Sequence, residues 1–324
     1  MKVRVKASAR LHLGLVDLRG DLGRLFGGMG VAINCPNVIV EAEKSESLSV
    51  VGEKSELIKP WVEFFLKKYD LKPEVTINLK QTIPQHVGLG SGTPFALTTA
   101  TALAKLFDVK ASTLELSKEM GRGGVSGVGT ALFDKGGFVV EGGVKSRKNK
   151  PLSSLNNFPH VIFQSSFPDN WFFTVAIPKA KSGLSGEAEA HAFDCLPPMG
   201  LEQAGRISRL ILMSLLPALK EKDIKTFGGA LTQIQYIVGD FFALAQGGRF
   251  SSSPSSECIE YMLNLGAVGA GQSSWGPTVF GLVQGKRQAE KLSLEMLGFL
   301  QEKSGGQVFW TGPNNRGAYV ETTS

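Results

Sequence analysis

The chain has 324 residues, enough for two domains that each bury a core, and its 42% hydrophobic and 20% charged residues exclude a disordered protein. A formal net charge of +6 suits an acidic ligand, but the basic residues are scattered. The one dense run, Lys145 to Lys150, carries no interleaved aromatics, so it reads as a solvated loop and nucleic acid is not expected as a partner.

No apolar run approaches the roughly 20 residues of a membrane span. The segment Met1 to Arg10 alternates charge with valine instead of building a signal-peptide core, so a cytoplasmic protein without membrane contact is expected. The alternation of Val3, Val5 and Ala7 predicts a first strand and Asn37 to Glu43 a second, with a glycine-rich loop from Gly20 to Gly30 between them. Trp61, Val62, Phe65 and Leu66 lie at helical spacing within Lys59 to Tyr69, and Val75 to Leu79 reads as a strand bounded by prolines. At Thr93 a helix start is marked. Thr93 is placed to cap the free amides, Pro94 fits the first turn, and Phe95 to Phe107 is rich in helix formers.

A helix over Leu114 to Met120 leads to the glycine-rich stretch Gly121 to Gly129, and Phe133 to Val140 turns through Gly136-Gly137 into a strand. The polar stretch Gly143 to Asn157 is the expected linker, dividing residues 1–150 from 151–324. The second half reads as a strand at Trp171 to Ile177, then helices over Leu201 to Leu219, Ile224 to Ala245 and Ser256 to Leu265. A strand at Thr278 to Val283, a helix at Arg287 to Lys303 and strands near Val308 and Tyr319 close the chain. This interspersed pattern predicts an α+β protein rather than a doubly wound parallel sheet. Cys35, Cys195 and Cys258 are far apart and fit no metal-ligand spacing.

The strongest chemical signal is Pro84-Gln-His-Val-Gly-Leu-Gly-Ser-Gly-Thr-Pro94. Glycines let the backbone approach an anion closely, and the free amides and dipole of the following helix supply the positive potential that a phosphate needs. Gly88, Gly90, Ser91, Gly92 and Thr93 are the expected anion-binding residues, with Ser91 also a candidate ligand for magnesium. A ligand-free strand-to-helix turn would look the same from the loop alone. The loop is neither a P-loop nor a dinucleotide fingerprint, because it lacks lysine and its glycine spacing differs.

Pro84, Gly88, Leu89, Gly90 and Ser91 resemble the middle motif of the GHMP kinases, P-x-x-x-G-L-G-S-S. Ser8 to Gly14 resembles that superfamily's first motif and Gly266 to Pro277 its third, in the same order along the chain. The resemblance implies an N-terminal domain like domain 2 of ribosomal protein S5, a ferredoxin-like C-terminal domain and a ligand cleft between them. Two positions depart from it. Gly92 replaces the second serine of the loop, and Gly129 stands where many of these kinases carry an aspartate base.

Arg10 to Leu18, Gly27 to Gly30, Gly88 to Thr93, Gly121 to Gly129 and Phe133 to Phe138 resemble more closely one branch of the superfamily, the beta-ribofuranosylaminobenzene 5'-phosphate synthases of methanopterin biosynthesis. That branch implies a homodimeric transferase that joins phosphoribosyl pyrophosphate to 4-aminobenzoate or 4-hydroxybenzoate with loss of CO2 and pyrophosphate, with Mg2+ on the pyrophosphate. With that chemistry, Asp17 or Asp21 would stabilise the cationic sugar, and Arg10, Arg19, Arg24 and Arg122 would grip the 5'-phosphate and the benzoate carboxylate by bidentate contact. His12, Ser126, Ser273, Ser274 and Trp275 would line the cleft. Each residue has a structural alternative: Asp17 pairing with an arginine on a turn, His12 as a core histidine, the serines as parts of a glycine-rich turn. An ATP-dependent kinase is the second reading, and Gly129 weighs against it.

Overall fold

The computed structural model describes residues 1–124, 126–145, 158–180, 183–184 and 186–323. The basic run beyond Lys145 and nearly all of the expected linker lie outside them.

Strands β1 (Lys2–Asp17) and β2 (Arg24–Lys44) form one long antiparallel hairpin, with alternate residues of the first strand, from Val3 through Ala9, buried. There follow β3 (Ser49–Val51), α1 (Lys59–Lys68), β4 (Val75–Gln81), α2 (Gly92–Leu106), α3 (Thr113–Glu119), α4 (Val128–Lys135), β5 (Phe138–Glu141) and β6 (Val144–Lys145). The second half holds β7 (Val161–Ser165), β8 (Trp171–Pro178), α5 (Glu187–Cys195), and α6 (Leu201–Leu210) continuing through a π-helical segment, Ile211–Leu215, into α7 (Leu216–Glu221). It ends with α8 (Ile224–Gln246), α9 (Ser253–Asn264), β9 (Gly269–Gln272), β10 (Val279–Gln284), α10 (Lys286–Lys303), β11 (Gly306–Thr311) and β12 (Tyr319–Thr323).

One sheet runs β12-β1-β2-β4-β3, with β5 and β6 paired to the other half of β2 and β7 paired to β5. The other is the antiparallel order β11-β8-β10-β9, packed against α8, α9 and α10. The α+β class is therefore as expected, but the sheets do not divide at residue 150: β7 and the terminal β12 both return to the first sheet. Aromatic packing fixes the halves together. Phe138 of β5 meets Phe227 of α8 at 6.0 Å, and Phe167, next to β8, meets Phe227 at 5.5 Å and Trp171 at 5.2 Å.

Two expectations are corrected. The Gly20 to Gly30 segment is a loop only as far as Gly23, and Gly27, Gly28 and Gly30 lie within β2. Glycine is needed there for close approach rather than for turning: a Cβ on Gly30 would stand 2.5 Å from Val128 Cγ1 and one on Gly28 2.8 Å from Val128 Cγ2, so α4 packs directly on the strand. Thr93 does not cap α2. The helix begins one residue earlier, at Gly92, with Ser91 already in helical conformation and no side chain accepting from the first amides. From Pro94 to Leu106 nearly every residue of α2 is buried, so this helix is the spine of the first domain.

Candidate active site

Three segments far apart in the chain converge on one hydroxyl. Ser273 is fully buried; its Oγ accepts from the backbone N–H of His12 at 2.9 Å and donates to the Gly88 carbonyl at 2.7 Å. Arg10 donates through Nη1 to the same carbonyl at 2.7 Å, and the Thr278 N–H reaches the Val87 carbonyl at 3.0 Å. Gly88 and Gly90 have φ of 94° and 68°, a region that side chains disfavour. A Cβ on Gly88 would lie 2.3 Å from the Ser273 carbonyl oxygen.

Ser273→Ala leaves the His12 N–H buried without an acceptor, whereas the Gly88 carbonyl keeps Arg10. We expect a loss of about 1–3 kcal/mol of stability, the usual penalty for one orphaned buried group, measured as a lower urea midpoint at unchanged m-value.

Two guanidiniums flank the loop. Arg10 lies against Gly90, where a Cβ would be 2.7 Å from its Cζ, and Arg122 lies against Gly92, where a Cβ would be 3.0 Å from its Nη2. Burial lowers both their pKa values, that of Arg10 to about 10, so Arg10 is still charged at neutral pH. Glu189 faces both. Burial raises its pKa, and the hydrogen bond from Trp275 Nε1, 2.8 Å, and the two arginines oppose that rise. Neither arginine forms a salt bridge among the described residues. Desolvated cations beside uncapped helix amides make an anion-binding surface.

Directly beside this surface runs a cleft between β1, α5, α8 and the third glycine-rich turn. Arg10, His12, Ser126 and Glu189 are among its polar lining, and aromatic rings supply much of its apolar lining. Phe26 and Phe193 lie 4.7 Å apart between centroids, Phe193 and Trp275 5.6 Å, and Phe242 and Trp275 4.7 Å. His12 is pushed down to about 3 by burial and by the charge of Arg10, so its ring is neutral.

The structure thus brings together Arg10, His12, Gly88, Gly90, Ser91, Gly92, Thr93, Arg122, Ser126, Ser273 and Ser274. Ser274 lines the cleft, Ser273 braces it from behind, and Thr93 accepts from Arg122 Nε at 3.4 Å. Asp17 and Arg24 are engaged locally. Asp17 Oδ1 accepts from the N–H of Arg19 at 2.7 Å and of Gly20 at 2.8 Å, closing the hairpin turn. Arg24 donates to the Gly142 and Gly143 carbonyls at 2.5 and 2.6 Å. Asp21 pairs with Arg19 at 2.5 Å. Gly129 sits in the first turn of α4, where a Cβ would be 3.1 Å from Thr93 Oγ1.

Sequence reasoning missed Glu189, Glu141, Phe193 and Phe242. Trp275, expected at the cleft through the third motif, does line it, whereas Phe193 and Phe242 come from separate helices and read as ordinary core. Glu141 carried a signal: it closes the apolar run Phe138-Val-Val on the same strand face as buried Val139.

Residues 56–142 match the sequence profile of the GHMP kinases N terminal domain and residues 215–300 that of GHMP kinases C terminal. The beta-ribofuranosylphenol 5'-phosphate synthase of Methanothermobacter thermautotrophicus is 34% identical to this chain, with 98% of each covered. That of Archaeoglobus fulgidus is 32% identical over 98% of this chain and 99% of its own length. The chain belongs to the beta-ribofuranosylphenol 5'-phosphate synthase family. Its fold is that of the GHMP kinases: the homoserine kinase of Cytophaga hutchinsonii superposes with a TM-score of 0.66 at 18% identity, covering 99% of this chain and 97% of the other. In this member of the synthase family no helix among the described residues is long and apolar enough to cross a membrane.

Proposed function

We propose that this chain is a transferase that joins the anomeric carbon of phosphoribosyl pyrophosphate to the carboxylate-bearing ring carbon of 4-hydroxybenzoate, releasing pyrophosphate and CO2 in methanopterin biosynthesis. The observation that supports it best is the adjacency of two unlike surfaces: the anion clamp of Arg10, Arg122 and the Gly88 to Thr93 loop, and the aromatic cleft of Phe193, Phe242 and Trp275. The relatives are named for a phenol product, which favours the hydroxyl-bearing arene over 4-aminobenzoate.

In this reading the ring carbon attacks the anomeric carbon as its bond to pyrophosphate breaks. The bond to the carboxylate then breaks, and its electron pair restores the aromatic ring. The loop amides and the two guanidiniums take up the charge that develops on pyrophosphate. Asp17, whose Oδ2 is free of the turn, follows Leu15 of the cleft wall along β1 and is the proposed partner of the cationic sugar; Arg24, held by the Gly142 and Gly143 carbonyls, is a proposed anion contact.

No three His, Cys, Asp or Glu side chains form a cage among the described residues. That suits magnesium arriving on the pyrophosphate, which takes most of its ligands from phosphate oxygens and water. The Ser91 hydroxyl, which caps nothing, and the Glu189 carboxylate are the side chains offered to it. The cytoplasmic location expected from the sequence and the homodimer expected from the resemblance belong to the same proposal.

The test is incubation with magnesium, phosphoribosyl pyrophosphate and carboxyl-labelled 4-hydroxybenzoate. Labelled CO2 and pyrophosphate should appear in equal amounts, and ATP with small alcohols should yield no ADP. ADP formation at ordinary kinase rates, about 1–100 per second, without CO2 release would overturn the proposal.

A further inference from the structure

We propose that Glu141 is the proton acceptor for the hydroxyl of the bound arene, acting through His12 across the wall of the cleft. This rests on the synthase reading above and assigns a residue to a step that reading leaves open. The attacking ring carbon lies para to the hydroxyl. Removing the hydroxyl proton pushes electron density onto that carbon and lets the ring pass through a neutral dienone. When CO2 leaves, its electron pair restores the ring, and the oxygen takes its proton back, so the acceptor holds the proton for one turnover only.

The geometry supplies such a group. Glu141 is fully buried at the end of β5, and neither carboxylate oxygen reaches hydrogen-bond geometry with a partner among the described residues. Its Oε1 and His12 Nε2 stand over the same glycine, 2.9 and 3.1 Å from where a Cβ on Gly28 would be. His12 and Ser126 line the cleft, and Glu141 lies behind them. The groups facing it are His12 from β1, the Gly28 amide and Arg24 from β2, and the Ser126 hydroxyl and Gly127 amide ahead of α4. Burial raises its pKa to about 7, and these neighbours pull weakly the other way. A neutral His12 does not keep a proton, but it can accept one on one ring nitrogen while releasing the other toward Glu141.

Glu141 is thus a positioning residue rather than one that touches substrate, and Glu141→Gln tests it. With 4-hydroxybenzoate, kcat should fall about 100-fold, the lower range for a lost acid–base group, with KM unchanged. The wild-type decline in kcat as pH drops through about 7 should disappear in the variant, and Glu141→Asp should recover part of the rate. A readout independent of turnover is 4-nitrophenol, whose ionised form is yellow: wild type should ionise it on binding and Glu141→Gln should not. Wild-type kcat and pH profile in the variant, or equal ionisation of the probe by both proteins, overturns the inference. Glu141-dependent ionisation without any CO2 release would overturn the synthase reading while sustaining the proton acceptor.

Discussion

Replacing Arg10 by glutamine should lower kcat/KM for phosphoribosyl pyrophosphate about 1000-fold, equivalent to about 4 kcal/mol of lost transition-state stabilisation. The guanidinium is charged at neutral pH and forms no salt bridge among the described residues; Glu189 faces it without pairing, so its field remains available to an incoming anion. The fold should survive the change. The Gly88 carbonyl that Arg10 engages also accepts from Ser273 Oγ at 2.7 Å, which leaves no orphaned acceptor behind. Arg10→Lys keeps the charge and loses the planar fork, and should fall between the two. Steady-state kinetics on variants with a wild-type melting temperature decide the matter: an unchanged kcat/KM for Arg10→Gln would remove Arg10 from the site.

The second large effect is expected at Gly90. Its φ of 68° is left-handed, which a β-branched residue adopts only with strain, and a Cβ there would lie 2.7 Å from Arg10 Cζ. Gly90→Val therefore displaces the guanidinium and narrows the mouth of α2 together. The dissociation constant for pyrophosphate, read by calorimetry, should rise by at least about 100-fold, the loss of two charge-assisted contacts. Gly90→Ala, smaller but still strained, should show a lesser rise. Unchanged affinity in a folded Gly90→Val protein would mean that the anion binds elsewhere.

The loop that carries Gly90 was legible from sequence as a structural element, and the reason is locality. A strand, a glycine loop and a helix start follow one another between Val75 and Leu106, so the loop's place at a helix N-terminus can be read without knowing any distant contact. Elements with strong periodicity were legible for the same reason: α1, α8 and α10 lie where their apolar spacing puts them. The glycines of β2 were misread because glycine marks both a turn and a place where another backbone or side chain must come close, and only the position of Val128 distinguishes the two.

What the sequence determined by itself, then, is the superfamily, the α+β class and the place of the glycine loop just before a helix, since each is carried by short runs of neighbouring residues. The tertiary structure decided the rest. Ser273, in the turn after β9, became the bridge between His12 and Gly88 only because two sheets met across α2 and α8. Phe193, Phe242 and Trp275 became one wall, and Glu141 came to lie behind His12, because packing joined residues from separate elements of the chain. Long-range packing leaves no local periodicity, so a buried carboxylate and an aromatic cleft look like ordinary core until the chain is folded around them.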